Sequence, residues 1–214
     1  MPSENKKHDA DMIKDIFIEL LRKYTDQEDY IFSCWDEVYS SYSSEMRHYH
    51  NLAHIGTMLT ELEEIKSDVK ELDTLLFSIF YHDIIYNPLR SDNEYKSAAV
   101  FKKRISQTSF QHINKCIEQI ELTKEHKITK DNDINILLDL DLSILGMSKI
   151  KYREYHKNIR KEYAMFSDEE YNCGRKEVLT RILGLPTIYK TDYFIAKYEE
   201  KARDNLTHEL NSFS

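Results

Sequence analysis

The sequence predicts an all-α fold, and three observations carry the prediction. Glycine and proline are scarce, four and three in 214 residues, too few for the turns that an all-β chain requires. Charged residues make up 32 % of the chain, enough to solvate the outer faces of long helices. Apolar residues recur at helical spacing in nearly every segment. The length suits one domain with a substantial core, so the expectation is a single domain over residues 1–214, a bundle of about eight to ten helices.

The elements follow in order. "DADMIKDIFIELLRKY" puts Met12, Ile13, Ile16, Phe17, Leu20, Leu21 and Tyr24 on one stripe, and "QEDYIFSCWDEVYSSY" does the same with Ile31, Trp35, Val38, Tyr39 and Tyr42. A third helix starts near Asn51 and turns Leu52, Ile55, Leu59 and Leu62 inward. A fourth, from about Val69 to Asp83, contains "LDTLLFSIFYHD" and is apolar enough to lie deep in the bundle. Pro88 breaks the pattern, and Asp92 is placed to cap "NEYKSAAVFKKRI". Helices follow around 110–125 and 132–145, the latter ending at Gly146 as a C′ residue. Three more close the chain: "SKIKYREYHKNIRKEYAMF", then "SDEEYNCGRKEVLTRIL" with a Ser167–Glu170 capping box and a stop at Gly184 and Pro186, then "TDYFIAKYEEKARDNLTHEL".

Charge and cysteine narrow the function. The formal charge of −8 repels a phosphate backbone and argues against general nucleic-acid binding. An anionic substrate would have to meet local positive charge. Cys34, Cys116 and Cys173 lie far apart with no CxxC, which reads as reduced, buried thiols in a cytoplasmic protein. "MPSENKKHDADMIKD" has no apolar region of the kind a signal peptide carries, and no apolar run reaches the length of a membrane span.

Polar residues on apolar faces point to chemistry. In "DINILLDLDLSILG", Ile134, Leu137, Leu138, Leu142 and Leu145 form one arc, with Asp141 near its middle and Asp139 almost opposite. A carboxylate amid a buried face needs a counter-charge or a metal, so Asp141 requires a partner while Asp139 is expected to face water or a neighbouring helix. In "LDTLLFSIFYHD", His82 and Asp83 flank the arc of Leu72, Leu75, Leu76 and Ile79, a combination that suits Zn, Mn or Fe(II). "RHYHNLAHI" holds His48, His50 and His54, with His54 at the rim of its own apolar stripe and His50 one turn earlier if the helix reaches back that far. A lone inward histidine is more often a hydrogen-bonded core residue than a ligand. For His54, His82, Asp83 and Asp141 together, that account needs several coincidences.

Those residues carry a resemblance. The order His54, His82-Asp83, Asp141 is similar to the H…HD…D pattern of the HD superfamily of metal-dependent phosphohydrolases, and the chain resembles in particular its bacterial predicted-phosphohydrolase group through "RHYHNLAHI", "FYHDIIY", "SDNEYKSA", "LLDLDLSILG", "IRKEY" and "ARDNL". "YHNLAH" and "DLSIL" are more distantly similar to segments of the cyclic-nucleotide phosphodiesterases. That similarity implies His54 as a metal ligand, His50 as the acid that protonates the leaving oxygen, and Asp141 as a ligand. The nucleotide-binding glutamine region of that family has no counterpart here, so a cyclic-nucleotide substrate is not implied.

The resemblance implies hydrolysis of a small phosphorylated substrate, with nucleotides among the candidates. One or two divalent ions (Mn, Fe, Mg, Ni, Co or Zn) on His54, His82, Asp83 and Asp141 would acidify a water and polarise the phosphoryl oxygen, with Asp83 as the bridge between two ions. The catalytic pair would be His50 and Asp83, since an imidazole near its ordinary pKa of about 6.5 can serve as general acid. Candidate substrate contacts are Arg47 and Arg90, which flank the two motifs, Asn93 and Glu94 behind Asp92, and Lys124 and His126 in "LTKEHK". Surface charge and helix capping are the plainer readings of these six. The rival functions are a di-iron oxygenase on an HD-type site, and a non-catalytic helical module that binds metal or a nucleotide. His48 has no assigned role. His8, His112, His156 and His208 read as structural or exposed, and none of the fifteen tyrosines is assigned to catalysis.

Overall fold

The computed structural model describes residues 4–213, with side chains described from Ala10 onward, so that the side chain of His8 lies outside the description. Among the described residues there are ten α-helices, two short 3-10 turns and no strand. None of these helices is long and apolar enough to cross a membrane. The chain forms two compact units, Met1–Lys127 and Ile128–Ser214, each with its own buried apolar residues.

The first unit holds α1 (Glu4–Arg22), α2 (Glu28–Tyr42), α3 (Leu52–Ile65), a 3-10 turn (Lys66–Asp68), α4 (Leu72–Tyr81), α5 (Asn93–Ile105) and α6 (Ile113–Leu122). Helix α4 packs against α1, α3, α5 and α6. It has almost no polar side chains to give to water, and every residue from Thr74 to Tyr81 except Leu76 is buried. Such a helix is stable only when enclosed. Its ring neighbours enclose it: Phe80 meets Phe17 edge-on at 5.0 Å, and Phe77 lies 4.8 Å from Phe110 and 6.0 Å from Phe101. Each fully buried aromatic contributes roughly 1.5–3 kcal/mol by leaving water. Within α4, Ser78 Oγ donates to Gln119 Oε1 at 2.6 Å, and Cys116 Sγ donates to the Thr74 carbonyl at 3.3 Å.

Helix α4 is shorter than the Val69–Asp83 expectation. The His82 amide still donates to the Ser78 carbonyl at 2.9 Å, but the Asp83 amide donates to Tyr42 Oη at 3.2 Å instead of to a helix carbonyl. The helix therefore stops at the HD pair. Helix α3 begins where expected: Asn51 is its N-cap, with Oδ1 accepting from the Ala53 amide at 2.9 Å. That cap leaves His50 outside the helix.

The second unit holds α7 (Asn132–Asp141), a 3-10 turn (Ser143–Gly146), α8 (Lys149–Glu162), α9 (Asp168–Leu183) and α10 (Asp192–Asn211). The Ser167–Glu170 capping box is present. Three expectations are corrected in or beside these helices, those for Asp141, Gly146 and Cys173. Of the two expectations for Asp139, water or a neighbouring helix, the second holds: it is fully buried, and its carboxylate accepts from the Lys190 and Thr191 amides and from Thr191 Oγ1 at the start of α10, at 2.8 to 3.0 Å. Burial pushes this carboxyl up to about 6 against the opposing pull of those donors. Asp141, placed at the centre of the buried arc, is only half-buried. Helix α7 is covered on all sides from Asp133 to Leu140, so a wheel with one inner face misorders its carboxylates. Gly146 is not a left-handed C′ residue, since no glycine has positive φ. It is small because a Cβ there would lie 2.4 Å from Tyr198 Cβ. Cys34 and Cys116 are buried as expected, but Cys173 is exposed on α9.

Helices α8, α9 and α10 meet at Glu209. Arg175 donates to it through Nε at 2.7 Å and Nη2 at 3.0 Å, Tyr152 Oη donates to it, and His156 Nδ1 stands 2.6 Å from Oε1. Burial alone would push the Glu209 carboxyl up, but these partners outweigh it and hold the group at about 2.

Two predictions concern the second unit. Gly146→Ala drives a methyl into Tyr198 and should lower unfolding free energy by about 3 kcal/mol, whereas Gly174→Ala, where a Cβ meets nothing within 4 Å, should raise it by about 0.5–1 kcal/mol. Urea unfolding of both variants checks this, and equal effects would show that the Tyr198 contact is not limiting. Glu209 contributes stability that is present above the ordinary glutamate pKa of about 4.5 and lost as pH falls toward its folded value near 2. Glu209→Gln should therefore lose stability at neutral pH and flatten this acid limb in a series of unfolding curves.

Candidate metal centre

The site in the first unit is built on the ends of two helices and one loop. The first turn of α3 carries His54, and the C-terminal end of α4 carries His82, followed by Asp83. His54 and His82 are 4 % and 1 % exposed, and their Nε2 atoms face each other at 3.3 Å. The ring of His82 is oriented from behind: Nδ1 donates to the Ile79 carbonyl at 2.9 Å. That bond leaves Nε2 with its lone pair, the tautomer in which an imidazole binds a metal. Asp83 Oδ2 lies 3.3 Å from His82 Nε2 and 4.0 Å from His50 Nε2. His50, His54, His82 and Asp83 thus form one cluster of imidazoles and a carboxylate, and His54 and His82 can each offer a ligand atom to a single ion. A nitrogen and oxygen set without thiolate suits borderline and hard divalent ions.

His50 is placed by packing, not by helix geometry. Its ring stacks on Tyr86 at 4.1 Å with an interplanar angle of 28°, and Tyr49 touches both His50 and His54, with centroids 4.9 and 5.0 Å away. Arg47 then ties the loop to the HD segment. Its Nη1 donates to the carbonyls of His50 at 3.1 Å and Asp83 at 2.6 Å, and its Nη2 donates to the Ile84 carbonyl at 2.8 Å. The guanidinium also lies 4.9 Å from the Tyr42 ring centroid and 5.7 Å from that of Tyr86. Nothing in the spacing of the sequence announces this arginine as a clamp. Tyr86 had a signal, four residues past His82 at the end of "FYHDIIY", but an aromatic there reads first as core.

The remaining candidates lie as follows. Asp141 closes α7 in the second unit and enters the donor set on its place in the sequence pattern alone. Asp92 sits at the N-cap of α5 without capping it, because its carboxylate receives Arg90 Nε at 2.7 Å and Nη2 at 2.8 Å. Asn93 is buried and staples the loop before α5, accepting from the Asn87 amide and donating to the Asn87 carbonyl. Glu94 is half-buried in the first turn of the same helix. Lys124 donates to the Ser91 carbonyl. His126 follows α6 in a left-handed conformation, φ 51°. His48 is exposed, its carbonyl accepting from Asn51 Nδ2 at 3.0 Å.

Comparison with family models, with curated proteins and with solved structures returns no match.

Arg47→Met keeps the aliphatic stem and removes all three hydrogen bonds. It should cost about 2 kcal/mol of stability and raise amide exchange selectively at residues 48–51 and 83–85. Arg47→Lys should rescue little, because an ammonium cannot reproduce the fork. Unchanged exchange in the loop would show that Arg47 does not hold it.

Proposed function

We propose that this chain is a metal-dependent phosphohydrolase of the HD type, acting on a small phosphate ester or nucleotide. The observation that carries the reading is the pair of buried imidazole nitrogens, 3.3 Å apart, with the Asp83 carboxylate 3.3 Å from one of them. In this reading His54, His82, Asp83 and Asp141 hold one or two divalent ions. Asp141 joins them on the order of the sequence pattern. A bound divalent ion supplies Lewis acidity toward the phosphoryl oxygen and a water acidified to near neutral pKa.

The chain's own residues do the rest. His50 presents Nε2 4.0 Å from the Asp83 carboxylate and, as general acid, delivers a proton to the leaving oxygen. Tyr86 fixes the plane of the His50 ring, so the proton is aimed. Arg47 spends both Nη groups on backbone carbonyls, so its part is positioning rather than contact with phosphate. Arg90 is exposed and bound to Asp92, and meets a substrate only by releasing that carboxylate.

Metal quantification of the purified protein and a phosphate-release screen with added Mn, Mg, Co or Ni test the proposal. His82→Ala and His54→Ala should lose bound metal and turnover together. His50→Ala should keep the metal and lose kcat by about 10²–10⁴-fold. Full phosphatase activity in His82→Ala would sink the assignment. Bound iron with dioxygen consumption and no phosphate release would favour an oxygenase. Neither metal nor hydrolysis would favour a binding module.

A further inference from the structure

Helices α8 and α10 enclose a second, separate feature within the second unit. Lys149, Arg153 and His156 stand at i, i+4 and i+7 on one face of α8, and Asn205, His208 and Ser212 stand at i, i+3 and i+7 along α10 and its cap. Together they line a cavity of about 200 Å³, far more than one water needs. Its floor is the Glu209 cluster. Among the described residues the one carboxylate in the lining is Glu209, which accepts from Arg175 and Tyr152 and lies 2.6 Å from His156 Nδ1, so its charge is compensated within the unit. Lys149, Arg153 and His208 are exposed, and their side chains make no hydrogen bond or ion pair among the described residues. His156 lines the same cavity, with Nδ1 2.6 Å from Glu209 Oε1.

We propose that this cavity is an anion site for a phosphate-bearing small molecule, distinct from the candidate metal centre and independent of the function proposed for it. The two cations, Lys149 and Arg153, line one cavity and repel each other, and an occupant with two or more negative charges relieves that repulsion while the two imidazoles offer ring N–H donors. The chain as a whole carries −8, so a cavity without a free carboxylate stands apart from the rest of the surface. Arg153 offers the planar fork that meets a phosphate through two oxygens, Lys149 a point charge, and Ser212 a hydroxyl at the rim. The same arrangement serves free phosphate and the phosphate group of an ester.

The test uses the full chain with divalent metal removed by EDTA, so that the metal centre does not capture the probe. Inorganic phosphate and pyrophosphate are titrated by calorimetry, and the histidine ring signals are followed by NMR. Saturable binding at one site is expected, tighter for pyrophosphate, with the His156 and His208 signals moving. The Lys149→Gln, Arg153→Gln double variant should weaken binding at least tenfold. A double variant of equal charge on exposed α9 and α10 positions, Lys176→Gln with Lys201→Gln, should stay within twofold. His208→Asn gives an independent check at a single exposed position and should weaken binding several-fold. Equal weakening in both double variants would reduce the effect to net charge and overturn the site. So would the absence of saturation at tens of millimolar, or shifts confined to His50, His54 and His82.

Discussion

The burial of α4 is the constraint on which the first unit depends. A helix that reads "LDTLLFSIFY" has no face to show to water, so α1, α3, α5 and α6 must cover it. Their apolar stripes are the answer to its needs: Phe17 from α1, Phe101 from α5 and Ile120 from α6 are all fully buried. The same constraint sets the site. Because α4 is enclosed along its length, the residues at its end emerge from the core already desolvated. His82 is at the boundary, one residue past the last helical turn, and Asp83 is the first side chain to reach partial exposure. A polar pair placed there is rigid because the helix behind it cannot move without opening the core.

The loop that brings His50 to this helix end obeys a different logic. Residues 47–51 have no regular hydrogen bonding of their own, so their carbonyls must be satisfied from elsewhere. Arg47 supplies part of this, and by reaching the carbonyls of Asp83 and Ile84 it converts a satisfaction problem into a positional lock. A helical His50 would have been fixed by its own backbone. The observed His50 is fixed by an arginine, a tyrosine ring and the cap at Asn51, three side chains that share no sequence pattern.

This explains what was legible in the sequence. Helix existence was legible because apolar period and capping chemistry are local: Asn51, Ser148 and Ser167 all cap through their own side chains. The HD pair was legible because it interrupts an apolar run. Asp139 and Asp141 were misordered because a helix buried on every face has no inner arc to define, and the partner of Asp139 is a turn about fifty residues later. Gly146 was recognised as necessary for the wrong reason, since close approach to Tyr198 depends on a packing partner outside the local sequence. Asp92 looked like a cap by type, but the neighbouring Arg90 outcompetes the helix amide for its carboxylate.

The facing imidazoles remain the feature least consistent with an ordinary core. A structural buried histidine settles both ring nitrogens on carbonyls, carboxylates or hydroxyls, because an unsatisfied polar group in low dielectric costs roughly 1–3 kcal/mol. His82 does this at Nδ1 with Ile79, while its Nε2 stands 3.3 Å from both the Nε2 of His54 and the carboxylate of Asp83. One neutral pair can share a single proton between the two nitrogens, but a second proton would place two positive charges 3.3 Å apart in a site almost without water. A carboxylate 3.3 Å away adds negative charge on the same side. Two ring nitrogens and a carboxylate oxygen close together, with the His82 ring oriented from behind by Ile79, are a donor set suited to a cation. The proposed metal role of His82 rests on this grouping, whatever reaction the site carries out.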